Sequence, residues 1–400
     1  MFGFGASGKV VTSEQKIDNM LNRFVDEVID KEHLKQRLES GQQLRIKLGI
    51  DPTSPHLHLG RAVSLLVLRD FQELGHKIVL IIGNATGVIG DTSDKESERP
   101  MLDRSQVEKN AKTYLAQAGR LLELKKVEVK YNATWFDKLT FQEIGELADQ
   151  FSVADFIARD NIKRRLQDGK RVSLREVLYP VMQGYDSVMV QADVEIGGTD
   201  QRFNLLAGRA LQEHAKQKPQ DVLMTKLIPG TDGRKMSSSW GNGINITDEP
   251  ADMYGKVMRT SDAVMRTYFE ACTRVPLSEI ETVLSGNPRD AKMRLAREIV
   301  TLYHGETVAQ QAEEQFVKTF QKGEVSDELA LEVVMPKGRP DEALMRAGVI
   351  SSKSEFQRLL RDGAVINVTT GEKMSGSPFE ITADCTLRIG KKRFVKIKIA

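Results

Sequence analysis

The chain is poor in cysteine. Among its 400 residues only Cys272 and Cys385 are cysteines, far apart and without metal-ligand spacing. That excludes a disulfide scaffold and a thiolate-built structural zinc site, and it points to a reducing, cytoplasmic setting. Long apolar runs are also missing. No stretch approaches the roughly 18 residues that span a bilayer, and the start, MFGFGASGKVV, has neither the basic head nor the apolar segment of a secretion signal. Charge of one sign is lacking as well, with 58 Lys and Arg against 56 Asp and Glu. The balance is uneven along the chain, however. Residues 341–400 hold 11 basic and 7 acidic side chains, net +4, which leaves −2 for the other 340. A small basic end on a near-neutral body suggests an appended nucleic-acid contact.

What is present fits a soluble globular protein: 40% of the residues are hydrophobic, and the length is too great for one ordinary core, so two or three domains are expected. The most informative stretch is PTSPHLHLGR (Pro52–Arg61). It follows LRIKLGI (Leu44–Ile50), an apolar run suited to a buried strand. It precedes a segment with Val63, Leu66, Val67, Phe71 and Leu74 at helical spacing, a stop at Gly75, and a second strand, KIVLIIG (Lys77–Gly83). Strand, loop, helix and strand make a βαβ unit and so imply a parallel sheet. The loop then lies at a strand's carboxyl end and a helix's amino end, where α/β proteins bind ligands and anions. His58, Leu59 and Gly60 form an H-x-G element in which the imidazole faces a phosphate and the glycine admits the ligand. On this motif alone, a polar loop with two exposed histidines is an equal reading.

The rest of the chain adds candidates. Residues 12–40 read as an amino-terminal helical layer. Asn84–Pro100 is a long polar loop, in which Asp91 is either a turn aspartate or a site carboxylate. Residues 159–171 carry six basic and two acidic side chains; the run is a solvated helix face or a phosphate-backbone contact. Ser173 and Glu176 have capping-box spacing, and the helix they open places Tyr179, Gln183 and Asp186 on one face among apolar neighbours, with Pro180 expected to kink it. Such a buried polar face needs partners, which a ligand with an amine and a hydroxyl would supply. A second strand-to-helix junction, Asp193–Asn204, brings Gly197, Gly198, Thr199, Asp200 and Gln201. KMSSS then stands between Gly230, Gly233, Gly241 and Gly243, a cationic, hydroxyl-rich segment suited to a mobile phosphate clamp. Residues 248–320 read as helical and 322–340 as linker. The end reads as two short helices, a strand and a basic hairpin; a second KMS at Lys373–Ser375 is a decoy in this part.

Three stretches agree with one family. HLHLGR resembles the HIGH motif of class I aminoacyl-tRNA synthetases, KMSSS resembles their KMSKS motif, and the Tyr179–Gln183–Asp186 helix with IGGTDQ resembles the bacterial tyrosyl branch. The basic end resembles the small RNA-binding domain named after ribosomal protein S four. The resemblance implies a Rossmann-like parallel-sheet catalytic domain (1–245), a helical domain (246–322), a linker (323–339) and a small α+β RNA-binding domain (340–400). It implies activation of tyrosine by ATP, with Mg²⁺ accompanying the nucleotide and no tightly bound cofactor, then transfer to tRNA, in a cytoplasmic homodimer.

By motif match, Thr53, His58, Gln201 and Lys235 would act on the reacting phosphates. Asp91, Tyr179 and Gln183 would hold the amino group and Asp186 the phenol. Asp51, Gly60, Gly198, Asp200 and Ser238 would join Lys235 around ATP. Arg388, Lys391, Lys392 and Arg393 would meet tRNA. Three positions depart from the pattern: Arg61 ends the first motif, Ser238 replaces the second KMSKS lysine, and Lys47 stands where many bacterial members have a tyrosine. Rival readings are a nucleotidyltransferase with only the H-x-G motif, the tryptophanyl branch, against which Asp186 argues, and a catalytically silent RNA-binding protein that keeps the fold.

Overall fold

In the computed structural model the described residues are 10–92, 101–321, 331–368, 370, 372–374, 379–390 and 393–399. The chain divides into two compact units, Met1–Gly305 and Glu306–Ala400.

The first unit is built on a six-stranded sheet: β1 (Val25–Ile29), β2 (Arg45–Ile50), β3 (Lys77–Ile82), β4 (Val127–Tyr131), β5 (Val194–Gly198) and β6 (Asp221–Thr225), in the order β1-β6-β5-β2-β3-β4. All neighbours pair in parallel except β1, which runs antiparallel to β6 at the edge. The βαβ unit read from the sequence is present: β2, the helix Leu59–Glu73 and β3, with β2 and β3 paired from Arg45↔Lys77 to Ile50↔Ile82. From β2 the chain winds outward to β3 and β4, then returns to the other side of β2 for β5 and β6. The carboxyl ends of β2 and β5 therefore flank the point where strand order reverses, which is where open α/β sheets hold ligands.

The amino-terminal layer differs from expectation. Residues 12–40 are two helices, Glu14–Asn22 and Lys31–Glu39, separated by β1. Phe24 and Asp30 adopt left-handed φ of 57° on either side of the strand, which interrupts the helical path. The β-branched Val25, Val28 and Ile29 then pair with β6.

The helix Leu174–Val190 opens with the expected capping box of Ser173 and Glu176 and continues through Pro180 to its end. It packs closely against the helix Arg202–His214, because a Cβ on Gly184 would lie 2.9 Å from the Ala207 carbonyl group. The helices over residues 250–304 belong to this first unit and are bonded to it. Tyr268 donates to the Pro229 carbonyl at 2.8 Å, and Arg274 pairs with Asp70 at 3.1 Å.

The second unit holds the helices Glu306–Gln321, Asp341–Arg346 and Lys353–Arg361 and a four-stranded sheet of order β7-β10-β9-β8, with β7 at Leu331–Met335, β8 at Val365–Asn367, β9 at Cys385–Ile389 and β10 at Arg393–Ile399. The basic hairpin is β9 and β10. β7, inside the stretch read as linker, pairs in parallel with β10. Val333, Leu344, Phe356, Leu387 and Val395 are among the residues of this unit's core. Lys373 bridges Ile366 here, while Ser375 lies outside the described residues.

The Gly184 contact yields a test. Helix propensity alone would make Gly184→Ala stabilising by about 1 kcal/mol, but the clash is with backbone, which cannot swing aside. Thermal or urea unfolding should show a loss of about 1–3 kcal/mol, and an unchanged or raised stability would contradict this packing.

Candidate active site

The strand ends at the switch point border a cleft of about 960 Å³. Thr53, His58, Gly60 and Arg61 line it from the first loop and helix; Tyr179, Gln183 and Asp186 from the long helix; Lys235 and Ser238 from the glycine-bounded loop. Asp51, Asp91, Gly198, Asp200 and Gln201 complete the set. The structure thus gathers every residue of the first unit that the motif match placed around tyrosine and ATP, from segments up to 187 positions apart, while Thr199 borders a second hollow.

His58 is buried at the cap position of the helix Leu59–Glu73. A Cβ on Gly60 would lie 3.0 Å from its Nδ1 and one on Gly243 would lie 3.2 Å from its Cβ, so both glycines make room for the imidazole. The Gly60 amide donates to Met236 Sδ at 3.3 Å, which ties the two motifs together. Arg61 turns its guanidinium into the cleft, donating to the Asp51 carbonyl and Thr53 Oγ1, each at 3.3 Å, and to the Tyr114 hydroxyl.

Two carboxylates occupy the depth of the cleft. Asp51 accepts hydrogen bonds from Thr86 Oγ1 at 2.7 Å and from the Tyr179 hydroxyl at 2.9 Å. Burial pushes its carboxyl up to about 6 against those bonds, with the charge of Asp91 adding to the rise. Gly83 permits the arrangement, since a Cβ there would fall 2.0 Å from Asp51 Oδ1. Asp186, only 3% exposed, accepts from Trp135 Nε1 at 2.9 Å and from Asn132 Nδ2 at 3.2 Å. Burial raises it to about 7, against the charge of Lys47 and those two hydrogen bonds. Burial and the nearby carboxylates likewise hold the Tyr179 phenol protonated, far above its ordinary range.

At the other end of the cleft Lys235 Nζ donates to Asp200 Oδ2 at 2.8 Å. Gln201 donates to Asp91 Oδ2 at 2.8 Å and accepts from Asn204 at 3.0 Å. Ser238 Oγ lies 3.4 Å from Ser54 Oγ, across the two motifs. The clamp loop is fastened by Asn242, which donates to Asp232 Oδ1 at 2.8 Å and accepts from the Ser237 amide at 2.9 Å.

The basic run at 159–171 divides in a way neither sequence reading anticipated. Arg165 is neither solvated nor a ligand contact: it is 1% exposed and makes a two-pronged bond to Glu176 at 2.6 and 3.0 Å. Burial works against the Glu176 charge, but Arg165 and Thr92 prevail and hold its carboxyl below the usual range. Arg159 lies over the rings of Phe156 and Phe203. Arg164, Lys170 and Arg202 line a second hollow of about 660 Å³ that shares Asp200 with the first.

Of the residues nominated at the basic end, Arg388 and Arg393 lie on β9 and β10, and Lys391 and Lys392 are outside the described residues. Arg393 is engaged within its unit, donating to Glu355 at 2.9 Å and to the Val349 carbonyl at 2.5 Å. The sequence reading missed Asn132, Trp135, Thr86 and Tyr114, which hold Asp186, Asp51 and Arg61. Their only advance signal was the position of Asn132 at the end of a readable strand.

Residues 12–321 match a family model described as "tRNA synthetases class I (W and Y)". The chain is 43% identical over 396 residues to the tyrosine–tRNA ligase of Thermotoga maritima, covering 97% of this chain and 98% of that protein. It is 42% identical over 409 residues to that of Moorella thermoacetica, covering 98% of each. Among solved structures, a C-terminally truncated mitochondrial tyrosyl-tRNA synthetase of Aspergillus nidulans superposes with a TM-score of 0.65 at 22% identity, over 77% of this chain and 95% of that one; it speaks for the fold.

The buried Asp186 carries a pH signature. Its raised pKa means that the fold favours the neutral acid. The stability it contributes is full below the unfolded-state pKa of about 4 and is lost as pH rises towards about 7. Across that window the wild-type protein should lose up to about 4 kcal/mol relative to Asp186→Asn. Urea unfolding of both proteins at pH 4, 5.5 and 7.5 checks this, and a difference that does not change with pH would refute it.

Proposed function

The chain belongs to the class I tRNA synthetases of the tryptophan and tyrosine group and is a tyrosine–tRNA ligase, and from that premise we infer how the cleft divides the reaction. The enzyme uses ATP to activate tyrosine and then charges its tRNA. In the first step a carboxylate oxygen of tyrosine attacks the α-phosphorus of ATP; the bond to the bridging oxygen breaks and pyrophosphate leaves. In the second, a terminal ribose hydroxyl of the tRNA attacks the activated carbonyl and AMP departs.

The observation that carries the division of roles is that one cleft is lined both by Tyr179, Gln183 and Asp186 of the long helix and by Thr53, His58, Lys235 and Ser238 of the two loops. Asp186 accepts the substrate phenol as a third donor beside Trp135 and Asn132. Tyr179, Gln183 and Asp91 receive the ammonium group, with Asp51 held behind Tyr179. Thr53, His58 and Lys235 draw on the β- and γ-phosphates, Gln201 meets the carboxyl and α-phosphate region, and Asp200 holds the ribose above Gly198. Ser238 and Gly60 border the nucleotide. Because little proton transfer is needed, stabilisation of developing phosphate charge does most of the work. Mg²⁺ enters with the nucleotide as part of the substrate. The Lys235–Asp200 ion pair, at 2.8 Å, must then be exchanged for phosphate and ribose contacts. Arg61 turns a guanidinium into the same space and is our candidate for the cation that Ser238 does not provide.

The basic end of the second unit, residues 341–400 with Arg388, Lys391, Lys392 and Arg393, is the proposed tRNA-binding appendage. The enzyme is proposed to work in the cytoplasm as a homodimer. Support for the dimer comes from the family to which the chain belongs.

Amino-acid-dependent exchange of labelled pyrophosphate into ATP tests the reading. Exchange should be supported by tyrosine and barely by phenylalanine, which leaves the buried Asp186 without its partner. Equal exchange with phenylalanine or tryptophan would overturn the role of Asp186, and no exchange would favour the silent RNA-binding alternative. A chain ending at residue 321 should keep exchange and lose tRNA charging. The cut must precede β7, because β7 belongs to the sheet of the second unit. Loss of exchange in a folded truncate would contradict this division.

A further inference from the structure

Lys47 sits at the centre of β2 with no exposure. Its ammonium has three donors and meets three acceptors: the Gln183 carbonyl at 2.9 Å, Ser187 Oγ at 2.7 Å and Glu195 Oε1 at 2.9 Å. Glu195, on β5, is equally engaged. It accepts from Gln183 Nε2 at 3.1 Å, Ser187 Oγ at 3.0 Å and Gln220 Nε2 at 2.5 Å. Gln183 and Ser187 bracket Asp186 on the long helix. The pair therefore grips, from two adjacent strands, the single helical turn that carries Asp186, and both of its members are bonded to that turn.

Stability gives little reason for such a pair, since buried ion pairs can often be replaced by apolar groups at no net cost. We propose that Lys47 is a positioning residue for tyrosine recognition: it fixes the Gln183–Ser187 turn against β2 and β5 and places a positive charge behind the Asp186 carboxyl that faces the substrate phenol. This rests on Asp186 being the reader of the phenol. The charged groups that weigh most on Asp186 are Lys47 from β2 and Glu195 from β5, and the Tyr179 phenol of its own helix, bonded to Asp51, is coupled to it. Asn132 and Trp135, which bond to it, are neutral, and the helix Arg202–His214 meets this helix through the backbone of Ala207 and Gly208.

The two charges act on Asp186 with opposite sign, so their removal should act oppositely. Full-length Lys47→Met, Glu195→Gln and Asp186→Asn are compared with wild type by pyrophosphate exchange from pH 5.5 to 8.5, varying tyrosine and ATP separately. In Lys47→Met the acidic limb of kcat/KM for tyrosine should move up by about one pH unit, with KM for tyrosine at pH 7 raised about 10-fold and KM for ATP within about 2-fold. In Glu195→Gln, which keeps size and shape and guards against a Lys47 variant that fails to fold, the limb should move down. A limb unmoved in both variants, or equal losses for tyrosine and ATP, would make the pair a structural cross-link and overturn the proposal. Asp186→Asn separates the premise. If tyrosine KM and the preference over phenylalanine survive that change, the reading of Asp186 fails, and the role of Lys47 fails with it. If they are lost while the Lys47 and Glu195 limbs stay put, only the role of Lys47 fails.

Discussion

A carboxylate withdrawn from water needs donors, and Asp186 has two fixed ones, the Trp135 indole and the Asn132 amide, with an ammonium behind them. Even so its carboxyl stays high, near 7, which means that the protein alone does not fully compensate the buried charge. In the proposed reading, a substrate phenol arriving at that oxygen would supply what is missing. In this account tyrosine selection is the completion of a solvation shell that the fold leaves one donor short, and a ligand without the hydroxyl restores nothing.

Much of the first unit can be understood as holding that shell in place. The helix bearing Asp186 is pressed against its neighbour at Gly184, where a methyl group would already collide with backbone. It is gripped from below by Lys47 and Glu195 on adjacent strands. The donors come from the end of β4, on the far side of β3. The nucleotide end of the cleft is joined to this frame through the strand ends, where Asp51 touches Tyr179 and Asp200 touches Lys235. Precise positioning in such a site is worth more than any one contact, because a misplacement of about 1 Å can cost about 100-fold in rate.

The parts of this frame with a local rhythm were legible in the sequence. The βαβ unit announced itself by an apolar run, a helical stripe and a second run. Tyr179, Gln183 and Asp186 fell on one face by spacing alone, and KMSSS stood out between glycines. What escaped notice depends on pairing across long stretches of chain. Lys47 reads as one polar residue in an apolar strand until Glu195, 148 residues later, is brought beside it. Trp135 carries no mark, and Asn132 only its place just after β4, until the helix with Asp186 packs over them. β1 was hidden between two helices because only its pairing with β6 makes five residues a strand, and β7 because its partner β10 lies some 60 residues on. Arg165 shows the same limit from the other side: composition counts charges, and burial decides what they do.

The most direct test of the central claim is calorimetry of tyrosine binding in two buffers of different ionisation enthalpy, at a pH of about 6.5, just under the Asp186 value of about 7. If the phenol completes the solvation of Asp186, binding must favour the carboxylate and release a fraction of a proton, and that release must vanish in Asp186→Asn. The same proton release in both proteins, or none in the wild type, would contradict the claim.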